Sequence, residues 1–327
     1  MQLNTQSTPP ILSKIQMNHP THAWNNNSLA GCLFEKTLQE SDHVTGTVSE
    51  NDLPMAVDLR PWCSDIEDQE NTNSCTANAI VGALEFHQKR AGLAVTELSR
   101  LFVYYNARKL NDMQSEDCGS YIHHVMAAVL AYGACEERVW PFDSNMCTVK
   151  PSDEAYANAM SFQAIQFARA PLGLAAFHAV AAGIPVVFAT FIPPEYYEHA
   201  HQTGVMPGPN AEVVPEMGHA MLLVGYDRNT GHWIVRNSHG IAFAQNGYMK
   251  IPFETIAAYS IPEHFWTIGA IDQAANLQRS SEPLDQTNLQ TPSHLRVDLS
   301  QLRQTIRREL DSDLQAKAAG FRKRLRD

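Results

Sequence analysis

Apolar residues recur at helical spacing through one part of this chain and as β-branched runs through another, and the two parts do not interleave. Ala77, Ile80, Val81 and Leu84 mark a helix from Cys75 to about Arg90, with Ser74 placed to cap it. Leu101, Phe102 and Tyr105 share one face of a second helix over 100–110, capped by Ser99. A third spans 121–132, between Ser120 and Gly133. Beyond residue 185 the texture becomes that of strands, over 185–191, 220–226, 232–236, 248–251 and 265–270. The cluster Asp227-Arg228-Asn229-Thr230-Gly231 turns two of them into a hairpin. Helices followed by an antiparallel sheet predict an α+β fold, with the two halves facing each other across a cleft.

This pattern occupies residues 55–272. Residues 1–54 are rich in Asn, Gln, Thr, Ser and His and read as a pro-segment or a flexible tail. Residues 273–294 are a polar linker. Leu299, Leu302, Ile306, Leu310, Leu314, Phe321 and Leu325 then form the stripe of an amphipathic helix. Composition excludes some functions. With 24 basic against 35 acidic residues the net charge is −11, a poor match for nucleic acid. No apolar run reaches the roughly 18 residues that span a bilayer. The first twenty residues lack the cationic start and apolar core of a signal peptide. Six cysteines occur without a CxxC pair, so no structural zinc site is expected. If Cys75 stays free, at most two disulfides remain. Glu195, Glu198, His199 and His201 crowd one stretch, read as a solvated loop near the cleft in preference to a metal site. His123 and His124 are adjacent on a helix and point to different faces.

Cys75 opens a helix, where unpaired N–H groups and the dipole favour a thiolate, the nucleophilic form. Gln69 precedes it by six residues and can donate to a developing oxyanion together with the Cys75 N–H. His219 opens the strand that runs into the hairpin, and Asn237 ends the return strand. Adjacent antiparallel strands set these side chains side by side. Asn237 can then hold one ring N–H of His219 and leave the other nitrogen for sulfur.

The chain resembles the papain and cathepsin family of cysteine peptidases. The resemblance rests on Gln69 before Cys75, His219-Ala220 through Gly225-Tyr226, Asn237-Ser238-His239-Gly240, and Asn246-Gly247-Tyr248. Val57-Asp58-Leu59-Arg60 is similar to the family's mature start, and Pro185-Val186-Val187 to its central strand. It implies a papain-like fold and a thiol endopeptidase acting on proteins or peptides without cofactor. The catalytic residues would be Cys75, His219 and Asn237, with Gln69 in the oxyanion hole. By order, Gly119 and Ser120 resemble the segment that lines the substrate cleft. The resemblance also favours a secreted protein, made as a zymogen. Oligomeric state is not readable. The departures are Glu70 where the family has Gly, Thr72 where it has a disulfide cysteine, His239 where a Trp shields the His–Asn pair, and Phe243 at a second Trp. The same residues are shared by acyl transferases and deamidases, and an inactive relative would keep the cleft as a peptide-binding module.

Overall fold

The computed structural model describes Cys32 and residues 52–164, 167–268 and 271–272. The expected C-terminal amphipathic helix and most of residues 1–54 lie outside the described residues.

Helix α1 (Cys75–Arg90) packs on α2 (Arg100–Lys109) and α3 (Ile122–Tyr132), and all three start within a residue of where apolar periodicity puts them. The caps differ. Ser99 accepts from the Phe102 N–H at 3.2 Å, as expected. Ser74 makes no such bond; its hydroxyl turns instead to Thr72 Oγ1 and Asn78 Nδ2. The N-cap of α3 is Tyr121, because Ser120 bonds Thr76 Oγ1 at 2.5 Å. Gly133 ends α3 with φ +78°, where a Cβ would come within 1.9 Å of the Ala159 carbonyl oxygen.

The strand-bearing half begins with β1 (Ala56–Asp58), then, after the short helix α4 (Asp153–Ala159), β2 (Gln163–Ala164), which lies in a separate two-stranded sheet, and β3 (Phe167–Arg169). Helix α5 (Leu174–Ala181) precedes β4 (Val186–Ile192), and α6 (Pro194–Thr203) precedes β5 (Met217–Asp227). Strands β6 (His232–Arg236) and β7 (Tyr248–Pro252), helix α7 (Phe253–Tyr259), and strands β8 (Ser260–Ile268) and β9 (Ile271–Asp272) complete it. The main sheet runs β3-β8-β4-β5-β6-β7, antiparallel throughout, with β1 also on β5. The predicted hairpin closes as Gly231 N–H donates to the Asp227 carbonyl. Val57 passes so close to β5 that a Cβ at Gly225 would lie 2.4 Å from its carbonyl oxygen. Every residue of β4 is buried, and Phe188 stacks on Phe265 with ring centroids 5.4 Å apart. Burying each such ring contributes on the order of 2 kcal/mol.

One expectation is corrected. The stretch around Glu195 is not a solvated loop but α6, which buries Tyr196 and Ala200. None of the six cysteines is in a disulfide, within the limit of two expected from the sequence.

Candidate active site

Cys75 is the first residue of α1 and is fully buried. Because Ser74 leaves the first turn without a side-chain cap, its N–H groups stay available to the sulfur or to an anion beside it. Across from it, the Ala220 N–H of β5 donates to Sγ at 3.4 Å, which sets the thiol against the residue that follows His219. His219 Nε2 and Asn237 Oδ1 are 2.8 Å apart. With Nε2 so used, Nδ1 is the nitrogen left for sulfur. The arrangement follows from register: Leu222 pairs with Arg236, so the residue after β6 flanks the start of β5.

The segment before α1 is fastened mainly through backbone. Arg236 donates to the carbonyls of Ser64 and Asp65 at 2.7 and 2.6 Å. Arg100 pairs with Glu67 at 2.9 Å. The Gln69 N–H donates to the Ser238 carbonyl at 2.8 Å, its Oε1 accepts from Ser238 Oγ at 2.6 Å, and its Nε2 donates to the Thr72 carbonyl at 2.8 Å. One N–H of the Gln69 amide remains for a ligand. Glu70, at the usual glycine, takes φ +50°, and its N–H is held by Asp68 Oδ1. Thr72 bonds the Gln69 carbonyl and Ser74 through its hydroxyl.

Gly119 has φ +80°, and its N–H donates to Tyr104 Oη, which in turn donates to Asp117. Ser120 is buried beside it. Cys32 lies against the same place: buried, it pairs in parallel with Ser120, and its N–H donates to the Gly218 carbonyl at 3.4 Å.

Burial dominates the electrostatics. Desolvation pushes the Cys75 thiol up to about 12, against the Ala220, Thr76 and Cys75 N–H groups, which pull it down. Desolvation, then His239, push His219 down to about 3, while the bond to Asn237 acts the other way. Burial thus favours the neutral form of both the thiol and the imidazole. Burial also raises the Cys32 thiol, and Cys75 adds to the rise.

Tyr197 was not singled out by sequence. It projects from α6, and its hydroxyl meets Asn237 Nδ2 at 2.7 Å and His239 Nδ1 at 2.6 Å. Its ring lies 5.9 Å from that of His219, edge to face, and 4.9 Å from Phe243, on which His201 stacks. His239 is thus bonded within the site. Glu198 bonds only Gln202 in its own helix among the described contacts.

The model of the papain family cysteine proteases matches residues 53–266. The chain belongs to that family. A peptidase C1-like protein of Acanthamoeba polyphaga mimivirus, itself uncharacterized, is 32% identical over 66% of this chain and 73% of its own length. Chicken cathepsin K is 27% identical over 61% of this peptidase, which spans 58% of that relative. The crystal structure of xylellain, a cysteine protease from Xylella fastidiosa, superposes with a TM-score of 0.68 at 27% identity, over 76% of this chain and 98% of that one. A procathepsin B from Trypanosoma congolense shares the fold at 16% identity, with a TM-score of 0.58 over 75% of this chain and 87% of its own. As a family member the peptidase is a hydrolase that acts on protein substrates.

Proposed function

We propose that the chain is a thiol endopeptidase working through a Cys75–His219–Asn237 triad. One observation carries the reading. Asn237 engages His219 Nε2 at 2.8 Å, while the N–H of the next residue, Ala220, meets Cys75 Sγ at 3.4 Å. In the mechanism His219 Nδ1 takes the thiol proton, and the thiolate attacks the peptide carbonyl. The Cys75 N–H and the remaining N–H of Gln69 hold the oxyanion. The imidazolium gives its proton to the leaving amine, leaving a thioester. Water, deprotonated by His219, hydrolyses the thioester and restores the thiol. Admitting substrate and water lifts the desolvation that keeps the pair neutral. Gly119 and Ser120 offer backbone to the extended substrate, as their order in the family implies.

Residues 1–54 act, in this reading, as a pro-segment, and the zymogen is activated by their removal. The contacts of Cys32 with Ser120 and Gly218 support it, since they put this residue of that segment against the cleft-lining loop and the residue before His219. A tethered segment reaches high effective concentration at little cost.

Incubation with an unfolded protein, read by mass spectrometry, tests the reaction. New termini mean a peptidase, a one-dalton gain on Gln a deamidase, and no change a binding module. Labelling of Cys75 by an epoxysuccinyl inhibitor tests the nucleophile. A chain starting near Met55 should hydrolyse peptides faster than the full chain, and residues 1–54 added in trans should inhibit it. If neither holds, the pro-segment is wrong.

A further inference from the structure

The carboxamide of Asn237 has two orientations that fill the same space, and only one serves a base. With Oδ1 toward His219, the proton sits on Nε2 and leaves Nδ1 to accept from sulfur. Flipped, Nδ2–H would face Nε2, force the ring proton onto Nδ1, and abolish the base. The amide alone does not choose, because a tyrosine hydroxyl can both donate and accept. A third group is needed to fix the direction of the bond between Asn237 and Tyr197.

His239 is that group. Its Nδ1 lies 2.6 Å from Tyr197 Oη and only within 3.5 Å of Asn237 Oδ1. A neutral ring protonated on Nε2 accepts the tyrosine proton at Nδ1. Having given its one proton away, Tyr197 can only accept from Asn237, so it takes the Nδ2–H at 2.7 Å. Oδ1 must then face His219. We propose that Tyr197, with His239 as its acceptor, is a positioning residue that locks the Asn237 amide and through it the reactive tautomer of His219. This rests on the triad reading above.

The surroundings agree with a neutral relay. Burial pushes the His239 ring down and the Tyr197 phenol up, so both favour their neutral forms, and the Nε2–H tautomer of His239 is part of the proposal; Asp68 opposes the first shift and the Asn237 bond the second. Tyr197 is held by ring contacts with Phe243 and His239 that do not need its hydroxyl. His239 is held by its backbone, paired with Asp68. Removing the hydroxyl therefore deletes the relay and leaves the packing.

The experiment is steady-state peptide hydrolysis by the full chain, with rates normalised to the sites labelled by an epoxysuccinyl inhibitor. Tyr197→Phe should lower kcat roughly tenfold, the scale of one lost buried hydrogen bond, with KM little changed. His239→Leu should do the same, and His239→Gln, whose carbonyl can accept from Tyr197, should recover most of the loss. In an Asn237→Ala background Tyr197→Phe should change kcat less than about twofold, since a relay that acts through Asn237 has nothing left to hold. An undiminished Tyr197→Phe loss in that background, or a loss confined to KM, overturns the proposal and leaves the triad standing. Asn237→Ala as active as the unaltered chain would overturn the triad reading itself.

Discussion

The two walls of the site are held in different ways. On the wall of Cys75 and Gln69 the fastening is mainly backbone: the uncapped start of α1, the Gln69 N–H on Ser238, and carbonyls of residues 64 and 65 gripped by Arg236. On the wall of His219 and Asn237 it is side chain to side chain, through Tyr197 and His239. Backbone fastening tolerates change in the side chains around it, and at Thr72, where the family has a cysteine, a hydroxyl adds bonds to the Gln69 carbonyl and to Ser74. Side-chain fastening does not, because each group must present the right donor or acceptor.

The largest effects come where the walls meet. Cys75→Ala should lower peptide hydrolysis by roughly 10⁵-fold or more with the fold intact by circular dichroism. His219→Ala should come close to it, and Asn237→Ala should be milder, since an orienter tunes the base while the base moves the proton. The reverse ranking in kcat/KM would exchange their roles.

The second expected effect is on stability and belongs to the backbone wall. Glu85, buried on α1, accepts from Ser64 Oγ at 2.6 Å and from the Leu98 N–H at 2.9 Å. Desolvation raises its carboxyl from 4.5 to about 7. The folded chain therefore binds more protons than the unfolded one between those values. The stability this gives is complete below the unfolded pKa and is lost as pH rises through about 7. The loss between pH 5 and 8 should be on the order of 3 kcal/mol. Urea unfolding across that range should show the decline, and Glu85→Gln should flatten it. An equally steep decline in the variant would assign the pH dependence elsewhere.

Gln69→Ala tests the backbone wall chemically. Turnover should fall about 10²-fold, the usual loss for one oxyanion donor. Inhibitor labelling of Cys75 should persist, because alkylation of sulfur needs no oxyanion hole. Asn237→Ala should slow labelling as well as turnover. Equal labelling defects in both variants would erase the contrast between the walls.

How much of this was legible follows the same division. Helical periodicity gave α1, α2 and α3, and β-branched runs gave most of the main sheet, because these signals are local. Cys75 begins α1, His219 lies near the start of β5 and Asn237 directly follows β6, while their catalytic roles are the proposal. Tyr197 was hidden for a physical reason. Helix α6 shows only Tyr196, Tyr197 and Ala200 as a stripe among polar residues, so it lacks the apolar pattern of a core helix. Its punctuation was readable: Pro194 in the first turn, Glu195 beside it, His201 in the last turn and Gly204 closing in the left-handed region. Even so, no local pattern tells that a residue 40 positions before Asn237 brings the hydroxyl that accepts from its amide.

The smallest expected effect separates a departure that matters from one that does not. Glu70 replaces the family's usual glycine and differs from it in both backbone cost and charge. Its φ of +50° lies in the region that a side chain penalises, and Asp68 Oδ1 on its N–H helps hold the turn. Glycine would relieve about 1 kcal/mol of that strain but would add freedom to the unfolded chain worth several tenths of it. Glu70→Gly should therefore raise stability by no more than about 0.5 kcal/mol. The side chain is exposed, and the neighbouring Gln69 is held by Ser238 and Thr72 without it. Turnover should stay within about twofold of the unaltered chain, well below the loss expected for an oxyanion donor. A tenfold change in kcat/KM at unchanged melting temperature would mean that the carboxylate acts on substrate. The wall of Cys75 and Gln69 would then depend on the Glu70 side chain as well.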